Sequence, residues 1–361
     1  MKHVAKKRIF DIHPYVPGKP IAEVKRELGL KDVIKLASNE NPYGPSPKVV
    51  RAIIKEARQV HRYPDGGCFY LRRELSKRLK ISPEQIIFGN GSDEILVLAL
   101  RAFVGEGDEV VIAKPSFLIY ELAALIEGAV VRSVPLNDFK YDLNGMAAVV
   151  TERTKVVFIG NPDNPAGTYV TQNELQGFID RLRDDILIVI DEAYFDFVRS
   201  KDYPDSIAWV KQRKNILVTR TFSKMFGLAG LRIGYAVADK EVIDILNRIR
   251  DPFNINSVAQ VAALACLQDG GYYRRVARLL EQQRKFLYQQ LTKRGIRFIR
   301  SATNFILVDV KEGPSVARKL LKMGVIVRDM DAWGLSNFIR VTIGTAQENK
   351  RFITALGSVI N

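Results

Sequence analysis

The strongest constraint on the fold is a repeating texture that begins near residue 84. Seven short apolar runs, QIIFG (85–89), EVVIA (109–113), AVVRSVPL (129–136), KVVFIG (155–160), ILIVID (186–191), NILVTRTF (215–222) and LRIGYAVA (231–238), alternate with helix-like stretches such as SDEILVLALRAFV (92–104) and TQNELQGFIDRLRD (171–184). Several runs are apolar at every position, so both faces of the strand must be covered, as in a parallel sheet between layers of helix. The alternation predicts an α/β unit with a mainly parallel, seven-stranded sheet flanked by helices. After Pro252 the texture changes. Two long helices, read as broken at Gly270-Gly271, precede strand-like runs at IRFIRSATNFILVDV, GVIVRDM and NFIRVTIGT, which predict a smaller α+β unit. The expected organisation is a weakly structured arm over 1–40 that packs on the small unit or on a partner subunit, a large domain over 41–255 and a small domain over 256–361.

The chain has 361 residues and a net charge of +15. A positive surplus fits nucleic acid, an acidic membrane surface or small anionic ligands. Much of it sits in 271–300, where nine Lys or Arg face one acid, Glu281. No nucleic-acid motif accompanies that run, which reads as the solvated side of an amphipathic helix, so no nucleic-acid partner is expected. The two cysteines, Cys68 and Cys266, form no pairing pattern, and the three histidines (His3, His13, His61) cannot build a His-based metal centre; no metal is expected. No secretory leader and no run of membrane-spanning length is visible, so a cytoplasmic protein without a membrane partner is expected.

In open α/β sheets, ligands sit beyond the carboxyl ends of the strands. Five strand ends deliver a polar or aromatic group there: NGSDE (90–94), KPSFLIY (114–120) with Phe117 and Tyr120, NPDNPAG (161–167) with Asn164, DEAY (191–194) with Asp191 and Tyr194, and TFSK (221–224) with Lys224. Taken singly, each has an ordinary reading. NGSDE is equally a capped helix start, Phe117 a core residue, Asp191 a loop acid, and Lys224 a lysine whose stem lies along an apolar turn. Taken together they share a chemistry. The backbone at Ser92 and Asp93, with Thr221, Ser223 and Arg232, would hold a phosphate. A carboxylate at the end of ILIVID would meet a protonated ring nitrogen, since burial is costly for it otherwise. Phe117 would cover a ring face, Asn164 and Tyr194 would donate to a phenolic oxygen, and Lys224 would capture an aldehyde. These parts describe a pyridoxal phosphate site, with Lys224 as proton carrier. The glycines at 227 and 230 would let the backbone turn tightly between Lys224 and Arg232.

NPDNPAG, DEAY, TFSKMFGLAGLRIG and NFIRVTIGT, in this order, resemble the fold type I pyridoxal phosphate enzymes of the aspartate aminotransferase superfamily. IKLASNENPYGPSP (34–47), RYPD (62–65) and DPFNINSVAQ (251–260) narrow the resemblance to the histidinol-phosphate aminotransferase family, over about 15–345. That resemblance implies transamination between L-histidinol phosphate and 2-oxoglutarate, giving 3-(imidazol-4-yl)-2-oxopropyl phosphate and L-glutamate, in histidine biosynthesis. It also implies an obligate homodimer in which Tyr63 reaches the neighbouring subunit's cofactor phosphate. Arg340 is implied to grip the substrate α-carboxylate and Arg328 to meet the substrate phosphate, with Tyr15 and Asn39 lining the pocket. Ala166 departs from the family's usual Thr, at a turn position that needs only a small residue.

Three alternatives stay open on the sequence: an aromatic amino acid aminotransferase, a threonine-phosphate decarboxylase on the same scaffold, and a non-catalytic basic protein that binds nucleic acid through 271–300.

Overall fold

In the computed structural model, which describes residues 2–5, 7–12, 14 and 18–360, the strands gather into two sheets. In chain order they are β1 (Ile34–Leu36), β2 (Ile86–Gly89), β3 (Glu109–Lys114), β4 (Val130–Pro135), β5 (Thr154–Gly160), β6 (Leu187–Asp191), β7 (Ile216–Thr221), β8 (Gly234–Ala238), β9 (Phe298–Ile299), β10 (Phe305–Asp309), β11 (Val325–Asp329) and β12 (Phe338–Thr342).

The seven expected runs form the large sheet, in the order β2-β8-β7-β6-β5-β3-β4. Neighbours run parallel except at β8, which is antiparallel to both β7 and β2. Alternate residues of the central strands feed two separate cores. Ile188 and Ile190 point into one, and Leu187 and Val189 into the other. This explains why ILIVID has no polar position before Asp191: period-2 geometry sends successive side chains to opposite faces, and both faces are covered. A fully buried Ile or Phe contributes about 1.5–3 kcal/mol of transfer free energy. Phe158 in β5 is fully buried. Truncating it to Ala would cost about 3–5 kcal/mol.

The small sheet has the order β1-β11-β12-β10-β9. It is antiparallel apart from the β1–β11 pair, which is parallel. Here the expectation of a weakly structured arm over 1–40 needs correction. Residues Ile21–Leu28 form helix α1, closed by Gly29 in the left-handed region (φ 66), and Ile34–Leu36 is an edge strand paired with Val325–Val327. Three residues are too few to read as a strand from sequence. Their partner lies about 290 positions along the chain.

The first two helices of the large unit are α2 (Pro47–Glu56) and α3 (Phe69–Leu79). Helix Ser257–Leu267 packs on both. Helix Gly270–Lys293 follows, so the break falls at Gln268-Asp269 and the two glycines open the second helix. A first turn lacks intrahelical N–H partners, which makes glycine cheapest there. Along this helix Tyr273, Val276, Leu280, Leu287 and Leu291 are buried at helical spacing, while Arg274, Arg275 and Arg278 are exposed. Among the described residues, no helix is long and apolar enough to cross a membrane. Cys68 and Cys266 are buried free thiols.

Candidate active site

The carboxyl ends of β3, β5, β6 and β7 face the small sheet across a cavity of about 280 Å³. Lys224 lies in the turn after β7. Phe222, fully buried, anchors that turn, and the Gly227 N–H closes it on the Lys224 carbonyl (3.2 Å). Gly227 has φ 70, and a Cβ there would stand 2.8 Å from the Gly44 carbonyl carbon, so only glycine fits. Gly230 has no such constraint. A Cβ on it would meet nothing within 4 Å, so the expected need for glycine at 230 is not met. The Lys224 ammonium nitrogen sits 5.7 Å from the centre of the Tyr194 ring.

Asp191 ends β6, 6% exposed. Its Oδ2 accepts from the Tyr120 hydroxyl (2.8 Å), and its Oδ1 from the Thr219 hydroxyl (2.9 Å) and the Ala193 N–H (3.1 Å). Burial pushes its pKa up to about 6, against the pull of the Tyr120 and Thr219 hydrogen bonds. No cation among the described residues forms an ion pair with it.

Tyr194 is buried, edge-on to Phe305 (5.2 Å between ring centres), and its hydroxyl accepts from Asn39 Nδ2 (2.8 Å). Asn39 adopts φ 55, a left-handed conformation that asparagine tolerates. Both its backbone groups are held by the small sheet side. Its N–H donates to Thr342 Oγ1 (2.9 Å) and its carbonyl accepts from Asn304 Nδ2 (2.9 Å). Asn164, in the turn after β5, accepts at Oδ1 from Arg340 Nη1, which leaves its NH₂ group as the donor. Ala166 in the same turn is fully buried and donates its N–H to Asp163 (2.9 Å). Phe117 lines the cavity and packs edge-on to Tyr120 (5.6 Å).

At the other end, helix α4 (Ser92–Phe103) starts at Gly91, whose φ is 80. A Cβ on Gly91 would lie 2.2 Å from Arg232 Nη2, so glycine lets the guanidinium reach the helix start. Arg232 donates to Ser223 Oγ (3.2 Å) and pairs with Asp93 (3.3 Å), and the Ser223 N–H donates to Thr221 Oγ1 (3.1 Å). Ser92, Asp93, Thr221, Ser223 and Arg232 thus converge where helix-start N–H groups favour an anion.

Arg328 and Arg340 reach the cavity from the small sheet. Tyr63 does not; it is 83% exposed and stacked on Phe253 (4.8 Å). Tyr15 lies outside the described residues. Tyr120, expected at the end of β3 with Phe117, donates to Asp191. Three neighbours escaped sequence reasoning: Thr219, Asp163 and Trp333. Thr219 is the cross-strand partner of Asp191, a register that no local pattern reveals. Asp163 is fully buried and accepts from Ser116 Oγ (3.3 Å); burial pushes its pKa up to about 7. Trp333, a lone tryptophan between the two arginines in the chain, was the one readable signal.

The family described as aminotransferase class I and II matches residues 31–356. The chain belongs to that family. Among aminotransferase relatives, the histidinol-phosphate aminotransferase of Moorella thermoacetica is 48% identical over 98% of this chain and 92% of its own. Histidinol-phosphate aminotransferase 2 of Carboxydothermus hydrogenoformans is 45% identical over 99% of each. The crystal structure of the Sinorhizobium meliloti histidinol-phosphate aminotransferase in complex with pyridoxal-5'-phosphate superposes with a TM-score of 0.89, at 28% identity over 99% of both chains.

Proposed function

We propose that the protein transfers the amino group of L-histidinol phosphate to 2-oxoglutarate, with pyridoxal phosphate as cofactor, in histidine biosynthesis. One observation carries the reading: a single cavity holds a lysine amine, a buried carboxylate with no paired cation among the described residues, an anion-binding helix start and two guanidiniums. The full-length relatives at 45–48% identity support the substrate assignment.

The residues fit the cofactor. Ser92, Asp93, Thr221, Ser223 and Arg232 would hold its phosphate, Asp191 its ring nitrogen, Phe117 a ring face, Asn164 and Tyr194 its phenolic oxygen, and Lys224 its aldehyde carbon. When bound, pyridoxal phosphate supplies an electron-withdrawing ring that takes up charge from the substrate's α-carbon. Asp191, kept in place by Tyr120 and Thr219, ionises fully once it faces a cation, and so keeps that ring nitrogen protonated. Tyr194, oriented by Asn39, and the Asn164 NH₂ stabilise negative charge on the phenolic oxygen. Lys224 Nζ removes and returns the proton at the substrate α-carbon. Arg340 receives the α-carboxylate of glutamate or 2-oxoglutarate and Arg328 the phosphate of histidinol phosphate; arginine's planar fork suits both anions.

We further propose that two copies pair through the face bearing Tyr63, each lending that tyrosine to the other's phosphate site. Val60, Phe69 and Tyr70 are exposed with Tyr63 along this part of the chain, and exposed Phe253 stacks on Tyr63 from a distant segment, as an unpartnered interface requires. The cytoplasm is the proposed compartment, which suits two buried free thiols.

An amino-donor screen tests the reading. Histidinol phosphate, phenylalanine, tyrosine and threonine phosphate are offered with 2-oxoglutarate, scoring keto product against carbon dioxide. Histidinol phosphate should lead in kcat/KM. Carbon dioxide from threonine phosphate, or a lead for phenylalanine, would sink it.

A further inference from the structure

We propose that Trp333 is the positioning residue of the arginine pair, and that it gives the site its preference for substrates with anionic ends. The inference rests on the reading of Arg328 and Arg340 as anion receivers. Strands β11 and β12 are antiparallel, and their register sets Arg328 directly opposite Arg340. Like charges in that relation repel. Both side chains nonetheless reach one cavity. Trp333 lies in the short turn Asp331–Trp333 between the two strands, 6% exposed. Its ring centre is 5.1 Å from the Arg328 guanidinium carbon and 5.8 Å from that of Arg340. An indole face attracts cations most strongly of the aromatic rings, within about 6 Å of its centre.

The ring is itself fixed from the opposite side of the cavity. Its Nε1–H donates to the buried carbonyl of Ser116 (3.0 Å), the residue before Phe117. One side chain thus ties the guanidiniums of the small sheet to the loop that carries the ring-stacking residue of the large sheet. Arg340 is further held by the Phe305 ring (5.2 Å), Asn164 Oδ1 and the Ala37 carbonyl (3.2 Å). Two cations set in advance offer their N–H forks to a phosphate or carboxylate without first being ordered. A substrate without such an end gains nothing from the arrangement.

The chain has two tryptophans, and the other, Trp209, is buried in helix Ser206–Val210 and does not line the cavity. In the cofactor-loaded Trp209→Phe protein, titration with inorganic phosphate should change indole emission saturably. The Trp209→Phe/Trp333→Phe protein should show no such change. Kinetically, Trp333→Leu, which removes the aromatic face, should raise KM for histidinol phosphate and 2-oxoglutarate by about 2- to 30-fold, more for the former because Arg328 is nearer the ring. Cofactor retention and kcat should stay within about threefold of the parent. Trp333→Phe, which keeps a face but loses the N–H, should recover part of the KM. Unchanged KM values in a folded, loaded Trp333→Leu protein would overturn the inference, as would a loss confined to kcat or a phosphate-silent Trp333. Arg328→Lys and Arg340→Lys separate the two readings. If they leave KM unchanged, the anion-receiver reading fails. If they raise KM while the Trp333 variants do not, only the role of Trp333 fails.

Discussion

Two carboxylates at opposite ends of the large sheet behave in opposite ways: Glu109 lies near the surface under arginines that are themselves exposed, and Asp191 lies deep. Glu109, at the start of β3, is fully buried and meets Arg132 (2.7 Å), Arg153 (2.9 Å) and the Thr151 hydroxyl (2.6 Å). The hydrogen bonds from Arg132 and Thr151 hold its pKa down to about 2. Asp191, at the end of β6, meets neutral donors alone among the described residues, and burial pushes it up to about 6. The difference lies in what completes each site. At the amino ends of the strands the chain supplies its own cations, and the cluster is finished on folding. At the carboxyl ends the described residues give Asp191 donors that orient it and no paired cation. In the proposed site, the unpaired desolvation of Asp191 would be relieved by a protonated ring nitrogen.

The comparison can be broken in several ways, beginning with the largest effect. Lys224→Ala should cut single-turnover amino transfer by at least about 10³-fold and release the cofactor to dialysis, because both capture and proton transfer leave with one amine. Asp191→Asn should lower kcat/KM about 10²- to 10³-fold with little loss of stability. Glu109→Gln should do the reverse, costing about 1–3 kcal/mol in denaturant unfolding while leaving kcat/KM within about threefold. Equal damage to activity from both would end the distinction between a structural and a functional carboxylate.

Unfolding against pH sharpens it further, because the two kinds of shift have opposite signs. Glu109 is depressed, so its stabilisation is present above the unfolded pKa of about 4.3 and fades as pH falls towards 2. Asp191 and Asp163 are raised, so in cofactor-free protein their contribution is present below about 4 and is lost as pH rises through about 6 and about 7 respectively. Relative to the parent, the Tm of Asp163→Asn should rise from pH 5 to pH 8, and that of Glu109→Gln should rise from pH 5 to pH 3. The smallest effect is expected for Tyr120→Phe. Its ring stays stacked on Phe158 (4.6 Å between centres), so the fold survives, and the loss of one donor to Asp191 should weaken cofactor retention about 3- to 10-fold.

Much of this was legible along the chain. Seven apolar runs became the seven strands of one sheet; in six of them double-faced burial leaves its mark in local composition, while β4, at the sheet edge, is mostly exposed or half-buried. The strand-end groups Lys224, Asp191, Tyr194, Asn164 and Phe117 were readable because parallel strands point their carboxyl ends the same way, so five loops had to share one rim. Residues joined by register or by distant packing were not readable. Thr219 meets Asp191 only because β6 and β7 pair in one alignment of several, and β1 is three residues whose partner is far along the chain. Asn39 was placed near the pocket by resemblance alone; its bond to Tyr194 depends on the small sheet holding its backbone through Thr342 and Asn304.

By itself, then, the sequence determined the layered α/β sheet and the kinds of group along its carboxyl rim, since period-2 burial and strand-end turns are written into neighbouring residues. Only the tertiary structure decided which groups touch. It set neutral donors around Asp191 and cations around Glu109, drove Arg328 opposite Arg340, and laid both guanidiniums by Trp333. Such contacts are made across sheets and between strands far apart in the chain, where a shift of one residue would turn each side chain to the other face.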